Sequence, residues 1–247
     1  METTVQPDAH QPHRNEATSG RDSAARLAGI LLILTALATI VAVFARVSAD
    51  TDQATLGESL AAIADHRILY GAGGIARLVA GITLIAGAWY LSRTWVIREG
   101  WGNPLVPVLF AFSAVFTAIS GIAAAALAIS APVVADPTLL EPSAAAETIN
   151  LFRWLAGKIG FAVAGLALLV AARQQWKGGG KMRRLSPLSA IIGLAMQFIW
   201  IDSATFMHPI NGTGFVLWLL LIGSLLTAGF VERHFSALRT AQEKTVD

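Results

Sequence analysis

Residues 27–45 read LAGILLILTALATIVAVFA, nineteen positions without a charge, closed by Arg46. A stretch of that length and polarity is about what a helix needs to cross a hydrocarbon core, and it sets the solvent in which the rest of the chain is read. The same signal recurs downstream. Residues 68–91, 105–131 and 151–172 are each long and apolar enough to span. The apolar run beginning at Leu185 reaches Ile201 and meets Asp202, then continues in helix-compatible residues until His208-Pro209, so the expected helix covers 185–207 with Asp202 inside it. A last span is expected over 214–231. The expected fold is therefore all-α, a polytopic bundle of six transmembrane helices, between a disordered tail (1–26) and a charged amphipathic one (232–247).

Composition agrees with this reading: 55% of the 247 residues are hydrophobic and 14% are charged, too apolar for a soluble domain of this size. The absence of cysteine excludes disulfides, thiolate metal sites and cysteine nucleophiles. Val47-Ser48-Ala49 after the first apolar run imitates a signal-peptide cleavage site, but the long, partly acidic leader and the length of the run favour a retained span. Between the first two spans, Leu56, Leu60, Ile63 and Ala64 fall at helical spacing opposite Glu58, Ser59, Asp65 and His66, which predicts a short amphipathic helix on the membrane surface.

Loop charge orients the bundle. Arg173, Lys177, Lys181, Arg183 and Arg184 crowd the connection after the fourth span, and Arg93 and Arg98 follow the second. The loops on the other side carry only Arg46 and Arg67. Together with Arg14, Arg21 and Arg26, this bias predicts a plasma-membrane protein with both termini cytoplasmic. The tryptophans fit two interfacial belts, Trp89, Trp95, Trp101 and Trp176 inside and Trp154, Trp200 and Trp218 outside.

Ionisable groups within spans are costly unless paired or wetted, and three are expected there: Arg77, Lys158 and Asp202. Counted from the cytoplasmic ends, they share a level in the outer part of the core. Asp202 can neutralise only one of the two bases, leaving a positive charge for water, a helix carbonyl or a small anionic ligand. Gln197 and Trp154 are candidate lining residues, and Gly73 and Gly81 leave room above and below Arg77 for a neighbouring helix or a ligand. A register-fixing ion pair explains the same three residues without any ligand.

Other motifs carry less. His10 and His13 lie in the tail, and His66 and His208 lie beside loops, where haem ligation has no shared pocket to use. Asn211-Gly212-Thr213 matches a glycosylation pattern but reads as the turn before the last span. Gly178-Gly179-Gly180 reads as a hinge in a basic loop that touches anionic lipid. No catalytic or phosphate-binding motif is present, so no enzyme activity, metal, cofactor or nucleic-acid partner is expected. The expected partners are membrane lipids, a small anionic ligand and, through small-residue faces such as Gly121/Ala125 and Gly157/Phe161, other subunits of a homo- or hetero-oligomer.

Arg26-Leu27-Ala28-Gly29 with Ile30, Leu31 and Leu32, together with Gly214-Phe215-Val216-Leu217-Trp218, resembles a family of small multi-spanning bacterial inner-membrane proteins of unknown function. The resemblance implies a bacterial inner-membrane location and a bundle of six or seven spans. It implies no activity and no residue roles. Three functional classes follow from the residues, in order: small-ligand binding or transport through the charged cluster, an accessory or structural membrane subunit, and last a membrane enzyme, for which no nucleophile-and-base constellation is present. Arg77 and Asp202 fall on corresponding central helices of a three-plus-three division, the arrangement that inverted-repeat transporters use.

Overall fold

The computed structural model describes residues 22–50, 53, 55–134, 143–201 and 207–246, and every regular element among them is helical. Asp202, His10, His13 and the side chain of His208 lie outside the described residues. The elements are α1 (Ser23–Ser48), α2 (Leu56–Asp65), α3 (Arg67–Ser92), α4 (Trp95–Arg98), α5 (Leu105–Val134), α6 (Ala144–Gly178), α7 (Gly180–Arg183), α8 (Ser186–Ala195), a 3₁₀ segment (Met196–Trp200), α9 (Met207–Thr227) and α10 (Phe230–Val246).

Among the described residues five helices are long and apolar enough to cross a membrane: Ser23–Ser48, Arg67–Ser92, Leu105–Ser130, Ala144–Gly178 and Ile210–Thr227. The continuous helix expected over 185–207 is different. Its α-helical part stops at Ala195, a 3₁₀ segment carries the chain to Trp200, and Ile201 is extended. The last span starts earlier than expected, at Met207, so Asn211 lies inside α9 rather than in a turn. There its side chain is buried and donates to the Ala195 carbonyl at 2.7 Å, meeting an acceptor at the very residue where α8 ends.

Each long helix packs on the next in the chain, α1 on α3, α3 on α5, α5 on α6 and α6 on α8, while α9 touches α8 and returns to α1. The result is a closed ring. Its interior is filled by Leu32, Leu84, Phe110, Leu168, Met196 and Leu219, one from each of six elements. The ring's outer wall is apolar as well: Leu37, Ile40, Val41 and Phe44 of α1 and Ile119 and Ile122 of α5 are exposed. Large apolar side chains facing outward over helices of this length are what a lipid solvent requires, and the chain is a helical membrane protein.

Small residues set the helix spacing. A Cβ on Gly74 would stand 2.7 Å from Ala125 N, and one on Gly121 would stand 2.6 Å from Leu78 N, so α3 and α5 are in backbone contact. Gly165 and Gly193 do the same for α6 and α8, each facing the other's carbonyl oxygen. No hydrophobic force separates protein from lipid here, so dispersion across such close contacts carries much of the association.

The end of the ring where α1 begins and α10 leaves is called the near end, and the opposite one the far end. At the near end Asp22 caps α1 by accepting from Ala24 N, and its other oxygen accepts from Trp95 N at 3.0 Å, tying α4 to the start of α1. At the far end α2 is begun by a capping box, with Thr55 and Glu58 exchanging hydrogen bonds, and its Leu60 and Ile63 are buried against Tyr70, Leu127 and Ala146.

Candidate binding site at the far end

Tyr70, Gly73, Gly74 and Arg77 occupy one stripe of α3, because positions three, four and seven apart share a helix face. The two glycines remove the side chains between the phenol and the guanidinium. A small cavity of about 20 Å³ opens there, lined also by Ala42 and Arg46 from the last turns of α1, Ala124 of α5 and Arg153 of α6. Three arginines from three different helices therefore line one space. Its volume suits a single water molecule, and hence one oxygen of an anionic group rather than a whole ligand.

The lining is held by a chain of hydrogen bonds. Arg77 Nη1 donates to Ser120 Oγ at 3.0 Å, and Ser120 Oγ donates to the Arg153 carbonyl at 2.9 Å. Arg153 Nη1 then donates to the Tyr70 hydroxyl at 2.8 Å, returning to α3. Tyr70 and Ser120 are both buried and Arg77 and Arg153 half-buried, and the circuit links α3, α5 and α6. Arg153 Nε is also buried, and it makes no hydrogen bond among the described residues. A buried N–H donor on a cation without an acceptor is expensive, which marks this side of the cavity as a place for an oxygen to sit.

The residues expected from sequence to form one cluster divide. Arg77 belongs to the cavity just described. Lys158 is buried on a different face of α6, the one that carries Ala162 and Gly165, and its Nζ lies 3.5 Å from the ring centroid of Trp154 one turn away. Gln197, in the 3₁₀ segment, donates to the main-chain carbonyls of Ala162 at 3.0 Å and Gly193 at 3.3 Å, so its amide pins that segment to α6 rather than lining the arginine cavity. Trp218, read from sequence as an interfacial belt residue, is buried instead and donates from Nε1 to Ser189 Oγ at 2.8 Å. His66 is exposed, with Nδ1 3.3 Å from the Ala62 carbonyl of its own helix.

Arg46, Arg153, Tyr70 and Ser120 were not singled out by sequence. Arg46 and Arg153 fall at the edges of apolar runs, where arginine is ordinary, and the two hydroxyls carry no charge to draw attention. The available signal was the Tyr70, Gly73, Gly74, Arg77 stripe, which places two hydrogen-bonding side chains two turns apart over a groove. The chain matches no family model, no curated protein and no solved structure, so its function is argued from this geometry alone.

Proposed function

We propose that this protein binds the anionic end of a small molecule, a carboxylate or a phosphate, in the arginine cavity at the outward-facing end of a six-span bundle in a bacterial inner membrane. The observation that carries the reading is Arg153, whose buried Nε has no acceptor among the described residues, beside a cavity that Arg46, Arg77 and Tyr70 also line. Guanidinium groups in fixed positions suit planar or tetrahedral oxyanions.

Six crossings need α8 and the 3₁₀ segment to serve as the fifth. Ten α-helical and five 3₁₀ residues rise about 25 Å together, close to the hydrocarbon thickness. Orientation rests on the near end, where Arg93, Lys181 and Arg183 stack on Trp89, Phe230 and Trp176. Basic and aromatic side chains belong at a cytoplasmic interface.

The test is thermal melting of the purified protein in nonionic detergent, with sodium phosphate or acetate exchanged for chloride at constant ionic strength. Saturable stabilisation by either anion in the parent, lost in Arg153→Gln and Arg77→Gln, is expected. No anion-specific shift in the parent would overturn the reading. An accessory structural role is favoured by a separate observation, the hydrogen-bond circuit that clamps α3, α5 and α6. In that case both substitutions lower the melting temperature while the anions have no effect.

A further inference from the structure

At the near end the ring encloses a second cavity, an apolar chamber of about 120 Å³ beneath α4 and α10. The end of α6 carries a patch that neither cavity uses. Leu166, Val170, Arg173 and Lys177 follow one another at steps of four, three and four residues, so they form one stripe along the helix. Leu166, Arg173 and Lys177 are exposed and Val170 is half-buried, while Gly160 and Gly165 turn other faces of α6 to α5 and α8. The stripe therefore lies on the lipid side, apolar along the span and cationic where the helix ends.

Trp176, also exposed, stands beside the stripe and is covered by Arg183, whose guanidinium carbon is 3.9 Å from the ring centroid. Arg183 comes back to α6 because two successive glycines turn the chain, Gly179 at φ 65° and Gly180 at φ 49°, a region that side chains with a Cβ rarely enter. Stacking occupies the face of the guanidinium and leaves its N–H edges open, the geometry in which arginine takes two oxygens of one phosphate. No carboxylate balances these charges. The sequence has no acid between Glu147 and Asp202, and among the described residues Arg173, Lys177, Arg183 and Arg184 form no ion pair. The partial negative charge at the end of a helix is about half an elementary charge, too little to answer four cations.

We propose that this corner is a binding site for an anionic phospholipid. The phosphodiester meets Arg173, Lys177 and the open edge of Arg183, Trp176 sits at the level of the headgroup, and one acyl chain runs down α6 over Val170 and Leu166. Basic pockets beside spanning helices, at the membrane surface, suit such headgroups. The apolar half of the stripe commits the site to a lipid, because a soluble phosphate ester gains nothing from it. The site requires only that this end of α6 meets a headgroup layer, so it does not depend on anion binding in the far-end cavity.

Native mass spectrometry of the full chain, released from nonionic detergent, counts the lipids that stay bound. The probes are dioleoylphosphatidylglycerol, dioleoylphosphatidylcholine and, as a competitor without chains, glycerol 3-phosphate. One phosphatidylglycerol is expected to bind about tenfold more tightly than phosphatidylcholine, and glycerol 3-phosphate is expected not to displace it. Arg173→Gln and Arg183→Gln should each weaken phosphatidylglycerol about fivefold, the factor that one cation contributes near an anionic surface. Trp176→Leu leaves the charge unchanged and should also weaken it, by releasing Arg183. Arg98→Gln, which removes an exposed cation elsewhere at the same end, and Arg153→Gln at the far end should each change the affinity by about twofold or less. Because the three site side chains are exposed, these variants should melt as the parent does in detergent without added lipid. The inference is overturned if the two lipids bind alike, if glycerol 3-phosphate displaces the lipid, if Arg98→Gln or Arg153→Gln costs as much as Arg173→Gln, or if the site variants bind as the parent does.

Discussion

Adding one methyl group between α3 and α5 tests whether backbone contact between them holds the far-end site together. In Gly121→Ala the new Cβ would stand 2.6 Å from Leu78 N and 2.8 Å from Gly74 O, both main-chain atoms that cannot rotate away. Relief to an ordinary 3.4 Å requires the helices to part by about 0.8 Å. A gap of that size forfeits a quarter to a half of each dispersion contact along the interface, and overpacking of this kind typically costs about 1–3 kcal/mol. Alanine itself favours a helix over glycine by about 1 kcal/mol, so the steric term must be read against a glycine with open space around it. Gly57 in α2 is such a position, with nothing within 4 Å of a Cβ. Stability of the two variants, measured by reversible denaturation in mixed micelles, should differ by about 1–3 kcal/mol with Gly121→Ala the weaker. The same displacement, if taken along the neighbouring Arg77–Ser120 bond of 3.0 Å, stretches it to about 3.8 Å, beyond hydrogen-bonding distance. Anion affinity should therefore fall with stability. Equal stability of the Gly121→Ala and Gly57→Ala proteins would refute the claim that these helices touch backbone to backbone.

Ser120→Ala removes a fully buried hydroxyl that both receives Arg77 and donates to the Arg153 carbonyl, so a loss of about 1–3 kcal/mol is expected in the same denaturation assay. Thr55→Ala breaks the capping box of α2 and should cost about 1 kcal/mol locally, read as faster hydrogen exchange of the first α2 amides with little change elsewhere. Arg239→Ala should cost less than about 1 kcal/mol, and less still in high salt, because both partners of the Glu99 pair are about half exposed. For the orientation, single cysteines at Gly179 and Glu243 should be labelled only from the cytoplasmic side and one at Pro137 only from outside. The chain has no native cysteine to confuse the assay, and labelling of position 179 from outside intact cells would invert the topology.

Charge-free runs of about 20 residues revealed most of the long helices, because in lipid the backbone has no alternative to internal hydrogen bonding. The break after Ala195 was not legible. Apart from Gln197, Met196 to Trp200 are apolar, and all five are compatible with a continuous helix; what accompanies the break is tertiary: Gln197 reaches the Ala162 carbonyl on α6, and Asn211 reaches the carbonyl of Ala195. Local sequence carries neither partner. The Trp154–Lys158 pair was legible, since it lies within one helix at a spacing that brings side chains together. The arginine cavity was half legible. Arg77 stood out as a charge well inside a span, whereas Arg153 sits at the third position of the run 151–172 and was passed over as a charge at its margin, although α6 begins earlier, at Ala144. A rule that discounts charges at the margins of hydropathy windows will miss sites built at helix ends.

The same division of labour explains why the two cavities of one ring differ in size and lining. Along α3 and α5 the packing residues are small, which brings backbones close and leaves the far end narrow, with room only for guanidinium, phenol and hydroxyl tips. At the near end α4, α7 and α10 lie over the ring, and the space beneath them is walled by larger apolar side chains. Leu84, Leu168 and Met196, which line neither cavity, fill the interior, all three buried.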